Sequence, residues 1–308
     1  MRMGSEIRRY EAACDILPPR LRRLALAVDD HRKERVEELR LRVGRPMTLL
    51  LPEGEITAAP RDREALVMPE DLQSLVSTVT EYSRYAASET LRRGYLCGKG
   101  GLRIGVCGSA VVRDGRMDGL RDFSSAAIRL VRERIGVAAA LVDGLYEDGR
   151  LQSTLLLSPP GGGKTTLLRD LIRCVSLGSA THGALRVSVV DERGELAVSL
   201  HGEAQMELGN HTDILDGCPK ALGIETVLRV MNPQVIAVDE ITAQEDIAAI
   251  ARAASCGVAL LATLHAGSVG ELRQKPLCRR LLDARVFTRA VTIVRDGETR
   301  RYEAETLC

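Results

Sequence analysis

At 308 residues, with 45% apolar and 28% charged side chains, the chain has room for about two domains and needs no disulfide or metal staple to fold. Forty-three Lys plus Arg against 42 Asp plus Glu leave a net charge of +1, so no overall field selects a polyanionic or polycationic partner. Aromatic residues are 3%, with no Trp and two Phe, which removes most of the stacking platform that single-strand nucleic-acid binders use.

Residues 1–136 read as an α+β domain. Residues 16–28 carry apolar side chains at 17, 21, 24 and 28, a helical spacing. Residues 36–43 alternate as Val-Glu-Glu-Leu-Arg-Leu-Arg-Val, a half-buried strand, and Gly44-Arg45-Pro46 turns it into a second apolar strand over 47–51. Pro69 opens a helix to about Ser83, with Glu70 and Asp71 complementing its dipole. Residues 95–97, 103–112 and 127–131 read as strands. From Arg92 to Arg134 there are ten basic and four acidic residues, nine of the ten being Arg. That segment is either a solvated sheet face or a surface that meets phosphate or an acidic neighbour.

A boundary near Gly136 separates this domain from residues 137–308, where short apolar strands alternate with helices: 153–157, 164–175, 186–190, 219–231, 235–238, 243–255 and 258–263. Strands with no polar alternation are buried on both faces, the pattern of a mainly parallel sheet in an α/β fold. Residues 290–305 read as a hairpin around Asp296-Gly297.

The chemistry is concentrated at the strand ends. Ser158-Pro159-Pro160-Gly161-Gly162-Gly163-Lys164-Thr165-Thr166 follows a strand and opens a helix. Three glycines let backbone amides turn toward an anion and the helix adds its positive end, so the segment reads as a phosphate-binding loop for ATP. Lys164 is expected to reach the β and γ phosphates, and Thr165 to ligate Mg²⁺. The first glycine usual in such loops is Ser158 here. Val235-Ile236-Ala237-Val238-Asp239-Glu240 is a buried strand that delivers two carboxylates: Asp239 for the Mg²⁺ shell and Glu240 to polarise the water that attacks the γ-phosphate. Asp191-Glu192-Arg193-Gly194-Glu195 ends another strand, and its three carboxylates and Arg are expected to face the same crevice. Glu192 and Glu195 are therefore further candidates for orienting the water or for the metal's outer shell. His265 ends a third strand, where it reads as a γ-phosphate sensor. Arg229 is either a phosphate contact or a helix-end charge.

Apolar runs such as 137–142 and 258–264 fall far short of a spanning helix, and no apolar segment follows Arg8 and Arg9 as a signal peptide requires. Eight irregularly spaced cysteines form no CxxC pair, which fits reduced thiols in a cytoplasmic protein.

The order of these motifs resembles the secretion-superfamily ATPases of type II and type IV systems and retraction motors: a phosphate loop, an acidic box at 191–195, a Walker B strand at 235–240 and a His box at 262–266. The chain departs from them in having Asp239-Glu240 where Gly-Glu is common, and Thr242 where an Arg often follows. The runs Glu38-Leu39-Arg40-Leu41-Arg42-Val43-Gly44-Arg45-Pro46, Arg103-Ile104-Gly105-Val106-Cys107-Gly108, Ser124-Ser125-Ala126-Ala127-Ile128-Arg129 and Val190-Asp191-Glu192-Arg193-Gly194-Glu195 are similar to the stage III sporulation protein AA family. The resemblance implies a RecA-like, ASCE-type P-loop ATPase domain behind an α+β domain. It implies a homo-oligomer, a hexamer, acting in the mother cell, and peripheral docking at the inner face of a membrane on the subunits of a channel complex that feeds the spore. In such motors the N-terminal domain closes over nucleotide, and Arg103, Arg129 and Arg132 are the candidate basic contacts. No nucleic-acid partner is expected. The competing readings are a nucleic-acid-remodelling ATPase, with the Arg-rich segment as its binding face, and a nucleotide-dependent scaffold with little hydrolysis.

Overall fold

The computed structural model describes residues 3–59, 66–80, 94–98, 102–130, 133–199, 202–296 and 299–307. The chain divides into two compact units, Met1–Arg132 and Glu133–Cys308.

The N-terminal unit holds helices α1 (Met3–Cys14), α2 (Pro19–Leu26), α3 (Asp30–Lys33) and α4 (Pro69–Thr80) and strands β1 (Glu38–Arg42), β2 (Thr48–Leu51), β3 (Gly54–Thr57), β4 (Tyr95–Gly98), β5 (Leu102–Arg113) and β6 (Arg116–Arg129). The strands form one antiparallel sheet in the order β3-β2-β1-β6-β5-β4. Alternation decides its faces. Leu39 and Leu41 of β1 join Ile104, Ile128, Leu49 and the helix residues Leu21, Leu72 and Leu75 in one apolar cluster. Arg40 and Arg42 point the other way and are half-buried.

The helix expected over 16–28 is shorter. Pro18 and Pro19 restrict the residues before them to extended backbone, and Pro19 takes the first helical position, so α2 begins there. The sequence reading missed α1, which buries Tyr10, Ala13 and Cys14. The strand expected over 127–131 extends back to Arg116, its polar first half paired with the outer part of β5. Residues 81–83 of the expected α4 and Val131 lie outside the described residues.

The C-terminal unit holds a short 3-10 helix (Val142–Leu145), a small antiparallel pair β7 (Tyr146–Glu147) and β8 (Arg150–Leu151), and then the main sheet. Its elements are β9 (Thr154–Ser158), α5 (Lys164–Leu177), β10 (Val187–Asp191), β11 (Thr212–Asp216), α6 (Lys220–Val230), β12 (Val235–Val238), α7 (Gln244–Ser255), β13 (Ala259–His265), α8 (Val269–Gln274), α9 (Pro276–Asp283), β14 (Arg289–Asp296) and β15 (Thr299–Thr306). The strand order is β11-β10-β12-β13-β9-β14-β15, parallel except for the last hairpin. Every residue of β9, β10 and β12 is buried. Two separate apolar clusters cover them, one containing α6 to α9 and the other α5, so the sheet is enclosed on both sides. The sequence reading missed the half-exposed edge strand β11 and the short helices α8 and α9. Gly297, at the tip of the expected hairpin, lies outside the described residues. Among the described residues no helix is long and apolar enough to cross a membrane.

Candidate functional site

The register of the parallel strands brings four strand ends to one edge of the sheet. Ser158 of β9 is level with His265 of β13, Ala262 with Val238 of β12, and Val238 with Val190 of β10. Asp239 therefore emerges beside both Thr263 and Asp191. Three strand spacings, roughly 14 Å, separate the loop after β9 from the loop after β10.

The loop between β9 and α5 is built on glycine geometry. Gly161 (φ 72°) and Gly163 (φ 102°) adopt left-handed backbone that side chains disfavour. A Cβ on Gly162 would run into the side chain of Ser158. The serine in place of the usual glycine thus fills the space that Gly162 leaves, and its hydroxyl donates to the Pro159 carbonyl at 2.8 Å. Pro159 and Pro160 form the exposed shoulder, and the Pro159 carbonyl also accepts from the Gly162 amide at 3.2 Å. Gly163 caps α5 without any side-chain bond, so no side chain competes with an anion for the amides of the first turn, which contains Thr165 and Thr166.

Lys164 is buried and turned across this loop. Its ammonium donates to the carbonyls of Ser158 (3.0 Å) and Pro159 (3.2 Å) and meets His265 Nδ1 at 2.9 Å. Burial lowers its pKa from the usual lysine value, against the pull of Asp239 and Glu240. Lysine only donates, so His265 Nδ1 is the acceptor and Nε2 carries the proton; Nε2 lies 3.0 Å from Glu240 Oε1. The other carboxylate oxygen of Glu240 accepts from Arg193 Nη1 at 2.6 Å. One continuous polar chain, Lys164–His265–Glu240–Arg193, thus links the glycine-rich loop after β9 to the acidic loop after β10. Glu240 itself sits at φ 52°, an uncommon left-handed conformation for a residue with a side chain.

Asp239 and Thr165 are adjacent, with Thr165 Oγ1 donating to Asp239 Oδ2 at 2.7 Å. The second Asp239 oxygen accepts from the Thr263 hydroxyl, whose oxygen in turn accepts the Glu240 amide at 2.8 Å. A hydroxyl and a carboxylate side by side are the hard-oxygen donors that suit Mg²⁺, which keeps several waters and takes its other ligands from phosphate.

The acidic loop divides in two. Asp191, 2% exposed, is not free for the crevice. Its oxygens accept the amides of Glu195 (2.8 Å), Leu196 (2.9 Å) and Ala197 (2.8 Å), so of the three carboxylates at this strand end Asp191 is the one committed to holding its own loop. Burial raises the Asp191 pKa against those amide bonds. Arg169 of α5 holds the same loop from the other side, donating to the carbonyls of Leu196 (2.9 Å) and Glu195 (2.7 Å). Glu192 is paired with the buried Lys220 of α6. Glu192, Arg193, Glu195, Lys220, Asp239 and Glu240 line one recess with Asp191.

Arg229 is not brought to this recess. It is exposed on α6, where its Nε donates to the Glu225 carbonyl one turn back at 3.3 Å. In the N-terminal unit Arg129 donates to Glu38 at 2.9 Å and Arg103 lies 4.5 Å from the centre of the Tyr95 ring. Arg132 lies outside the described residues. The sequence reading gave no role to Lys220 or Thr263, and it placed Arg193 at the crevice without its partner Glu240. Lys220 carried a signal: a cation in the first turn of a helix opposes the dipole and asks for a nearby carboxylate. Thr263 becomes visible only once β12 and β13 are set in register.

Comparison with known proteins bears on the whole chain. The family model for sporulation stage III, protein AA, matches residues 7–304. Stage III sporulation protein AA of Bacillus subtilis (strain 168) is 35% identical over 281 residues, 91% of this chain and 90% of that protein. Among solved structures, the pilus retraction motor PilT with bound ADP is similar at a TM-score of 0.60 and 18% identity, covering 88% of this chain and 79% of PilT. The Legionella pneumophila ATPase DotB is similar at 0.55 and 15%, covering 84% and 72%. The chain belongs to the stage III sporulation protein AA family, and its fold is that of the secretion P-loop ATPases: a RecA-like, ASCE-type C-terminal unit with a mainly parallel sheet, preceded by an α+β unit.

Proposed function

We propose that this member of the stage III sporulation protein AA family is an ATP-hydrolysing motor. The observation that carries the reading is the convergence of Lys164, Thr165, Asp239, Glu240 and His265 on one sheet edge in a single hydrogen-bonded set. The glycine amides and the start of α5 cradle the phosphates. Lys164 turns its ammonium from the Ser158 and Pro159 carbonyls toward the β and γ phosphate oxygens. Thr165 and Asp239 would hold Mg²⁺, which when bound would neutralise the charge that develops on the phosphates.

Glu240 orients the attacking water. Its two oxygens are held, one by His265 and one by Arg193, which fixes the carboxylate while each oxygen keeps a lone pair for a water proton. His265 connects this carboxylate to Lys164. When Lys164 gives its proton contact to phosphate, His265 Nδ1 loses its donor, and the imidazole relays the presence of the γ-phosphate to Glu240. Glu240 is the preferred base because it follows Asp239 directly and is joined through His265 to Lys164; Glu192, held by Lys220, and Glu195 line the same recess.

The likeness to PilT and DotB supports a homo-oligomeric, hexameric assembly in which hydrolysis moves one unit against the other. Membership of a sporulation family supports peripheral docking on a membrane channel complex between mother cell and forespore, from the cytoplasmic side. The test is Mg²⁺-dependent phosphate release and nucleotide binding by the purified full chain. Lys164→Ala is expected to abolish turnover. Glu240→Gln is expected to bind ATP normally while turnover falls at least about 100-fold. No uptake of adenine nucleotide by folded wild-type protein with Mg²⁺ would overturn the reading, and equal turnover in Glu240→Gln would remove the assignment of Glu240.

A further inference from the structure

The terminal hairpin of the C-terminal unit reaches the phosphate loop. β14 pairs with β9 as far as Thr292 opposite Leu157 and then runs on to Asp296. Those four further residues extend roughly 13 Å past the paired segment, alongside the loop that follows β9. The return strand β15 begins there, and its second residue is Arg300.

Arg300 Nε donates to the Gly162 carbonyl at 3.0 Å. The approach is close enough that a Cβ on Gly163 would lie 3.0 Å from the same nitrogen. The described residues contain no cis peptide, so the Gly162 carbonyl and the Gly163 amide point in opposite directions from one planar group. A guanidinium bound to that carbonyl fixes the peptide with its N–H turned away from Arg300. It also polarises the group, which strengthens the amide as a donor. Across the hairpin Arg300 shares a rung with Arg295.

We propose that Arg300 is a positioning residue of the phosphate loop, acting through the Gly162–Gly163 peptide to aim the Gly163 amide at a nucleotide phosphate. The proposal rests on the nucleotide-binding reading above and adds to it a residue from the far end of the chain. The bond acts on the loop's grip, which serves ADP and ATP alike. Its loss therefore changes affinity more than the chemical step.

The experiment measures binding of MgADP and of a non-hydrolysable MgATP analogue, together with KM and kcat, in full-length wild type, Arg300→Ala, Arg300→Lys and Lys164→Ala. Arg300→Ala is expected to weaken both nucleotides and raise KM about 10-fold, with kcat at saturation within about threefold of wild type. Arg300→Lys, which keeps a cationic donor, is expected to recover part of the affinity. Unchanged affinity in Arg300→Ala, or a fall in kcat with KM and binding unmoved, would overturn the proposal. If wild type binds and Lys164→Ala does not, an unaltered Arg300→Ala defeats this inference alone. If wild type fails to bind, the nucleotide reading falls and this inference with it. Arg300 is exposed, and a melting temperature matching wild type separates a loop effect from loss of fold.

Discussion

The two sheets of this chain handle charge in opposite ways. The antiparallel N-terminal sheet buries one face and carries ion pairs on the other, where Arg42 meets Glu55 and Arg129 meets Glu38. The inner parallel strands β9, β10, β12 and β13 of the C-terminal sheet are covered on both faces, so their ionisable side chains, Asp191 and His265, stand at strand ends. Two carboxylates make the contrast concrete. Glu55 is held down to about 2, first by hydrogen bonding from Arg42 and then from Thr48. Asp191 has three amide partners, yet its pKa is raised, because burial outweighs them. A partner's effect on a carboxylate is thus decided by how much water the fold removes, and the enclosed sheet removes more.

Asp191→Ala tests that contrast at its strongest. It leaves three amides without their acceptor in a buried loop, and the C-terminal unit is expected to lose on the order of 3 kcal/mol or more, read by denaturant unfolding with hydrogen exchange resolved by unit. Asp191→Asn keeps one carbonyl acceptor and removes the charge that burial disfavours, so it is expected to lose less than Asp191→Ala. An equal loss in the two would show that the charge, and not the acceptor, holds the loop.

Gly223→Ala probes how tightly the covered sheet is packed. A Cβ there would overlap a methyl of Val190 on β10, so α6 must shift outward. A destabilisation of about 1–3 kcal/mol is expected, with protection lost first in α6.

The smallest effect is expected from acid. The folded value of Glu55 lies below its ordinary 4.5, so the Arg42–Glu55 contribution is complete above that pH and is lost as the pH falls toward 2. Both side chains are about a third exposed, which limits the contribution to about 0.2–1 kcal/mol. Asp191 runs the other way, since a raised value makes its contribution fullest at low pH. Hydrogen exchange between pH 4.5 and 2.5 is therefore expected to show β2 and β3 loosening before β10. The reverse order would break the comparison.

Local pattern was enough to read much of the chain. β1 was legible from strict alternation, β9 and β12 from unbroken apolar runs, and the turn between β9 and α5 from glycines placed between a strand and a helix. α1 was not, because a short, charge-rich segment gains its burial from α2 and the sheet; Tyr10 donates its hydroxyl to the Ala25 carbonyl 15 residues away. The choice of Lys164, Asp239, Glu240 and His265 as candidate site residues followed from residue type and from position relative to a strand end.

Only the tertiary structure decided how those residues engage one another. Sequence spacing carries no register between strands that are distant in the chain, so it could not bring Thr263 to Asp239, join Arg193 to Glu240, or return Arg300 to Gly162 across 138 positions. Nor could it turn Asp191 inward, since that depends on which amides the following loop presents. Residue types are written along the chain, whereas hydrogen bonds between them depend on distances that exist only after the sheet has assembled.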